Sequence, residues 1–147
     1  LKNDVETKVM ESPVRISVIY ADGSEDDYGL DEAGDEIAAS CDSGIMARSI
    51  RGLGKTGDEV CRFKMIFKVS LVERKHDHDT PDSKPDKIAV VYRNGRDDVY
   101  DVPSAADRIA AFCDRGLMPR RTAGLNAKDE VICHYNIRFK VRLERIV

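Results

Sequence analysis

Two cysteines of this chain lie in nearly the same context: Cys41 within "IAASCDSGIMARS", beginning at Ile37, and Cys113 within "IAAFCDRGLMPRR", beginning at Ile109. A cysteine that attacks a substrate or senses oxidants needs a stabilised thiolate, supplied by a helix N-terminus or a neighbouring cation. Here the surroundings act the other way. Each thiol falls near the end of a helical pattern, where the dipole is negative, and each is followed by an acid, Asp42 or Asp114. Cys61 and Cys133 recur too, within alternating strand-like runs where cysteine behaves as a small hydrophobe. The reading is therefore that all four cysteines pack, with a thiol-dependent enzyme or redox sensor as the second alternative to binding.

Other candidate chemistry is weaker. "GLGKTG" resembles a phosphate loop, but that motif needs a glycine where Ser49 stands, and a strand-like run rather than a helix follows. A hairpin turn is the better expectation. "DGSEDD" lacks the alternating ligands and later Glu of a calcium loop. "HDHD", from His76, offers metal ligands in a polar connector. Cys133 and His134 point to opposite faces of a strand, so they cannot chelate together. No metal or cofactor is expected. Only three histidines are present, two of them in that connector, which leaves little general-base material near neutral pH. No catalytic constellation is found, and the chain is read as not an enzyme.

What these residues share is an internal repeat. Shifting the sequence by 72 residues aligns Pro13 with Pro85, Tyr20 with Tyr92, Gly23 with Gly95, Tyr28 with Tyr100, Cys41 with Cys113, Gly44 with Gly116 and Cys61 with Cys133. With only two copies, a fused pair of modules is expected rather than an open solenoid. Residues 1–12 form an N-terminal arm, 13–75 repeat 1, 76–84 a linker and 85–147 repeat 2.

Each copy parses alike. Asp22-Gly23 and Asn94-Gly95 lie between strand-like flanks and predict two-residue hairpin turns. Ala33, Ile37, Cys41 and Ile45, like Ala105, Ile109, Cys113 and Leu117, recur every four residues and predict an apolar helix face. Ser104 with Asp107 suits a helix start, and Gly44 and Gly116 suit its end. From Cys61 and from Cys133 a long period-two run follows, with one apolar and one polar face. A shorter strand near Met46–Ile50, or Met118–Thr122, precedes it across the glycine-containing loop. The fold class is thus α+β: a tandem duplication of a β-hairpin–helix–β-hairpin unit (ββαββ), each a four-stranded antiparallel sheet with one helix, the two packed as a pseudo-twofold pair. Ile19, Ile66, Val72 and Val91 fall on polar faces and are assigned to the contact between copies.

Charge narrows the function classes. The chain carries 24 Lys and Arg against 27 Asp and Glu, too few cations for a dedicated nucleic-acid binder. The copies are electrostatic opposites: repeat 1 holds 9 cations and 12 acids, repeat 2 holds 12 and 9. Asp26, Asp27, Asp31 and Glu32 represent the acidic crowd of repeat 1. Arg115, Arg120, Arg121, Arg138, Lys140 and Arg142 represent the basic surface of repeat 2. These ten are the candidate binding residues, with another protein as the expected partner, self-association as a further outcome, and nucleic acid as the alternative through the basic face. No stretch reaches the roughly 18 to 20 apolar residues of a membrane span. Four cysteines without C-x-x-C spacing fit a cytoplasmic or other reducing compartment. The start lacks both an initiator Met and a secretory signal, so a processed or excised piece of a longer chain is expected.

Overall fold

Both Gly23 and Gly95 take the left-handed backbone, φ 88° and 90°, but the turns they close are not two-residue turns. In the computed structural model, which describes residues 11–74 and 84–146, the Gly23 N–H donates to the Tyr20 carbonyl at 2.9 Å and the Tyr20 N–H to the Ser24 carbonyl at 2.8 Å. Gly95 and Tyr92 repeat this at 3.0 Å, with the Tyr92 N–H on the Arg96 carbonyl at 2.8 Å. Only the glycine has positive φ, so Asp22 and Asn94 sit in an ordinary turn and the third loop residue forms a bulge. The arm's residues 1–10 and the "HDHD" connector lie outside the described residues.

The elements follow the expected order twice: β1 (Arg15–Tyr20), β2 (Glu25–Tyr28), α1 (Ala33–Asp42), β3 (Ala47–Leu53), β4 (Glu59–Arg74), then β5 (Lys87–Tyr92), β6 (Asp97–Asp101), α2 (Val102–Asp114), β7 (Pro119–Leu125) and β8 (Val131–Arg145). Ala33, Ile37 and Cys41 are buried on α1, and Ala105, Ile109 and Cys113 on α2. Ile45 and Leu117 lie past the helix ends. Their N–H groups close back onto the Ser40 and Phe112 carbonyls at 2.9 and 3.0 Å, the left-handed Gly44 and Gly116 making the reversal possible. The start of α2 is corrected as well. Ser104 is inside the helix and its hydroxyl reaches the Asp101 carbonyl at 3.2 Å, because Pro103, with φ already fixed, belongs in the first turn.

The sheet also differs from expectation. Instead of a four-stranded sheet in each copy, the strands form one eight-stranded antiparallel sheet, ordered β2-β1-β3-β4-β8-β7-β5-β6. The cause is strand length. β4 has 16 residues and β8 has 15, yet β3 pairs only with Glu59–Phe63 and β7 only with Val131–Tyr135. Each long strand outruns its hairpin partner and leaves backbone groups and an apolar row that must be satisfied elsewhere.

The chain divides into two compact units, Leu1–Ile66 with Lys140–Val147, and Phe67–Phe139. The first unit holds β2, β1, β3, the first half of β4 and the end of β8. Its Ile146 N–H donates to the Arg62 carbonyl at 2.9 Å, Lys64 meets Glu144 at 3.5 Å, and Gly34 on α1 lies so close to the Val141 carbonyl that an added Cβ would stand 2.8 Å from it. The second unit holds the rest of β4 with the first part of β8, and β7, β5 and β6. Its Phe67 and Phe139 rings meet edge to face at 5.9 Å, and the Phe67 N–H donates to the Asp114 carboxylate at 2.9 Å.

Both units bury the helix-side face of the sheet. Ile16, Val18 and Tyr20 in one, and Ile88, Val90 and Tyr92 in the other, are at most 2 % exposed. Of the hydrophobes assigned to the contact between copies, Ile19, Ile66 and Val91 are half-buried and Val72 is exposed. Among the described residues no helix is long and apolar enough to cross a membrane.

Candidate functional site

The four cysteines are buried. Burial, reinforced by Asp42, pushes the Cys41 thiol up to about 11, and burial also raises Cys61. Cys61 and Cys133 lie opposite Gly52 and Gly124 in the β3–β4 and β7–β8 pairs. Their sulfurs occupy the space that a glycine Cβ would fill, beside Pro13 and Pro85. The recurring Pro, Gly and Cys are thus one packing device used twice. Under native conditions a thiol reagent is expected to label all four slowly, and Cys41→Ala to cost about 1 kcal/mol of stability. Rapid stoichiometric labelling of any one at neutral pH would contradict this.

A more distinctive arrangement lies at the β5–β6 turn. Because α2 begins directly after β6, it runs back along that strand and brings its last turn to the hairpin tip. Phe112 there packs on Tyr92 with ring centroids 4.8 Å apart. The Arg96 guanidinium lies 4.7 Å from the Phe112 centroid and that of Arg115 lies 6.0 Å from it. Arg96 is held twice, since its Nε also meets Asp98 at 2.8 Å. Asp98 in turn accepts the Tyr100 hydroxyl at 3.1 Å, and the Tyr92 and Tyr100 hydroxyls are 2.8 Å apart. Arg96 holds the Asp98 carboxyl below the usual carboxylate range, and burial raises the Tyr92 hydroxyl far above its ordinary value. The Arg93 N–H donates to the Met118 carbonyl at 3.0 Å, tying the tip to the start of β7.

All ten residues expected from sequence are exposed, and they are not all brought together. Arg115 belongs to the cluster at Phe112. Arg120 is at the same end of the sheet: Val91 pairs with Arg121 and Tyr92 with Pro119, which leaves Arg120 as the extra residue of a bulge. Arg121 alternates with the buried Thr122, so it faces the side of the sheet away from α2. Arg138 lies on β8 beyond the stretch paired with β7. Lys140 and Arg142 belong to the other unit, where Arg142 meets Glu144 at 3.6 Å.

Asp26 and Asp27 lie on β2, an end strand of the sheet, and Asp31 and Glu32 precede α1. Asp26 accepts the Tyr28 hydroxyl at 3.4 Å, and Tyr28 is 2.6 Å from Tyr20, repeating the tyrosine chain of the other unit. Beside them the buried Ser17 hydroxyl contacts Glu25 and Arg51, and those two also pair, each contact being 3.2 Å.

Sequence reasoning passed over Arg93, Arg96 and Phe112. Their signal was present in the repeat itself: the matching positions are Ala21, Ser24 and Ser40, and Ser43 matches Arg115. The arrangement offers an ordered pair of guanidinium groups on an aromatic ring, suited to holding carboxylates or other oxyanions. No protein-family model, curated protein or solved structure matches the chain.

Proposed function

We propose that this chain is a non-catalytic protein-binding module, acting as an adaptor, inhibitor or assembly subunit. Its frame is a duplicated ββαββ unit whose copies, 13–75 and 85–147, form a pseudo-twofold pair. The frame is supported by pairings that repeat at the same 72-residue offset: Ile16 with Tyr28 and Ile88 with Tyr100, Gly52 with Cys61 and Gly124 with Cys133. Both β1–β3 and β5–β7 bulge at the same step, between Ile19 and Tyr20 and between Val91 and Tyr92.

One observation carries the function: Arg96 and Arg115 flank Phe112 at a tip where the other copy has three serines. Core and turns are kept while one end is rebuilt in guanidinium groups, as a recognition surface for an acidic protein would be. Arg96 is pre-ordered by Asp98 and the ring, which lowers the entropy cost of engaging a partner. The other copy remains strongly acidic, which disfavours a long polyanion lying across the molecule.

The test titrates a labelled oligoglutamate peptide at about 50 and about 300 mM salt. Binding is expected at low salt and should weaken by about tenfold or more in Arg96→Ser/Arg115→Ser, the serines being those of the first copy. Absence of peptide binding would contradict the reading. Parallel titrations of single- and double-stranded RNA and DNA provide the other arm. Tight binding there with a steep salt slope, abolished by reversing Arg120, Arg121 and Arg138, would replace a protein partner by nucleic acid.

A further inference from the structure

We infer that the acidic partner includes a second copy of this same chain, with the arginine end around Phe112 of one molecule seated on the β2–α1 side of another. The inference rests on the proposed binding role of the arginine end and names its occupant.

The complementary surface is present in the chain itself. Residues 21–42 contain nine acids and no Lys or Arg. Asp22 is engaged locally with Ser24, and Glu25 with Arg51. Asp27, Asp31, Glu32, Asp35 and Glu36 are exposed and make no ion pair among the described residues. So many unneutralised carboxylates on one hairpin and helix repel one another and favour whatever cation covers them. Within the same unit, the nearby cation Arg51 is spent on Glu25 and Ser17.

The hairpin tip and helix end of the other copy have the opposite stock. Arg93, Arg96, Arg115 and Arg120 are exposed there, with Arg108 exposed farther back on α2 and Arg121 on the opposite face of the sheet. Only Arg96 among them makes an ion pair with a described residue, Asp98. Nearby acids that could neutralise the others are partly committed: Asp98 to Arg96 and Tyr100, and Asp114 to the Phe67 N–H. Hairpin tip and helix end therefore present cations in one copy, and hairpin and helix start present acids in the other, on frames of the same build.

Net charge does not forbid the pairing. Each molecule carries −3 overall, and repulsion between such totals is screened over about 10 Å at 0.1 M salt. Contacts between opposite charges at the interface act at much shorter range. Such a head-to-tail contact is heterologous, so association need not stop at two.

The experiment measures molar mass by light scattering and sedimentation for the full chain over about 10 to 300 μM, at about 20 and about 500 mM salt. The mass is expected to rise above the 16.5 kDa of one chain at low salt and to return to it at high salt. Two charge-reversed variants separate the surfaces: Asp31→Lys/Glu32→Lys/Asp35→Lys, and Arg93→Glu/Arg115→Glu/Arg120→Glu. Each alone should remain monomeric. Mixed, they should form a complex, because the first keeps the arginine end and the second keeps the acidic side. Circular dichroism checks that each is folded, and Arg93→Ala/Arg115→Ser replaces the second variant if it is not, with loss of self-association as its expected result.

A wild-type chain that is monomeric throughout the range, or one whose association ignores both reversals, would overturn the inference. If oligoglutamate still binds in an Arg96- and Arg115-dependent way in that case, self-pairing alone fails. Should neither occur, the binding role of the arginine end fails with it.

Discussion

Gly124→Ala is expected to destabilise the protein by about 3 kcal/mol, near the top of what overpacking one methyl costs. The added Cβ would fall on Cys133 Sγ, with Pro85 Cβ at 2.9 Å and Cγ at 3.2 Å. None of these can give way cheaply. Cys133 is 2 % exposed, Gly124 is buried between β5 and β8, and a change of proline ring pucker moves mainly Cγ while Cβ stays in place. Gly52→Ala meets the same obstacle at Cys61, Pro13 and Phe63.

Removing the sulfur provides the control. In a Cys133→Ala background the same glycine substitution should cost at least about 1 kcal/mol less, since the vacated volume accepts the new methyl. Chemical denaturation of the four proteins of this cycle measures the coupling. Additive effects of the two substitutions would show that the sulfur does not occupy the space assigned to it.

This packing device shows what the sequence makes legible. The spacing of Pro, Gly and Cys, repeated 72 residues on, identifies positions that must be equivalent, and the alternation from Cys61 and Cys133 gives the buried face of each long strand. Helices with Ile37 and Ile109 at their centres are equally clear, because a four-residue apolar recurrence has few other uses. Periodicity, however, says which face is buried and not what buries it. Nothing in the run from Phe67 to Arg74 indicates that these residues side with β8 rather than with β3, since that choice depends on β3 beginning only at Ala47, short of their partners.

The candidate site was hidden for a related reason. Arg96 and Arg115 are 19 positions apart, and only the return of α2 along β6 places both on one ring. Phe112 itself stands one position before Cys113, off the row of every-fourth apolar residues, so a strict count of that row omits it. Arg138, Lys140 and Arg142 share the polar face of one strand by their alternation, yet the division between Phe139 and Lys140 assigns Arg138 and Lys140 to different units. Arg93, Arg96 and Phe112 are marked by where the sequence departs most from its 72-residue counterpart, Ala21, Ser24 and Ser40, not by where it is most basic.

The second large effect concerns the long strands. Residues 85–147 are the whole of the proposed second copy, but the compact unit Phe67–Phe139 also includes the second half of β4. Without it Phe139, 7 % exposed, loses the ring of Phe67, and Asp114 loses the Phe67 N–H. Deleting one buried Phe side chain costs about 3 to 5 kcal/mol, and the stretch removed contains more of the strand besides. Against a total stability of about 5 to 15 kcal/mol for an ordinary domain, that loss is close to the whole.

The direct measurement compares two fragments by thermal and urea unfolding, residues 85–147 and residues 67–147. The longer fragment should unfold cooperatively. The shorter should show no cooperative transition, or one at a midpoint far lower, although it contains every residue of the proposed second copy. If residues 85–147 alone form a folded monomer as stable as the longer fragment, the second half of β4 is not what completes this unit and the account of the fold is wrong.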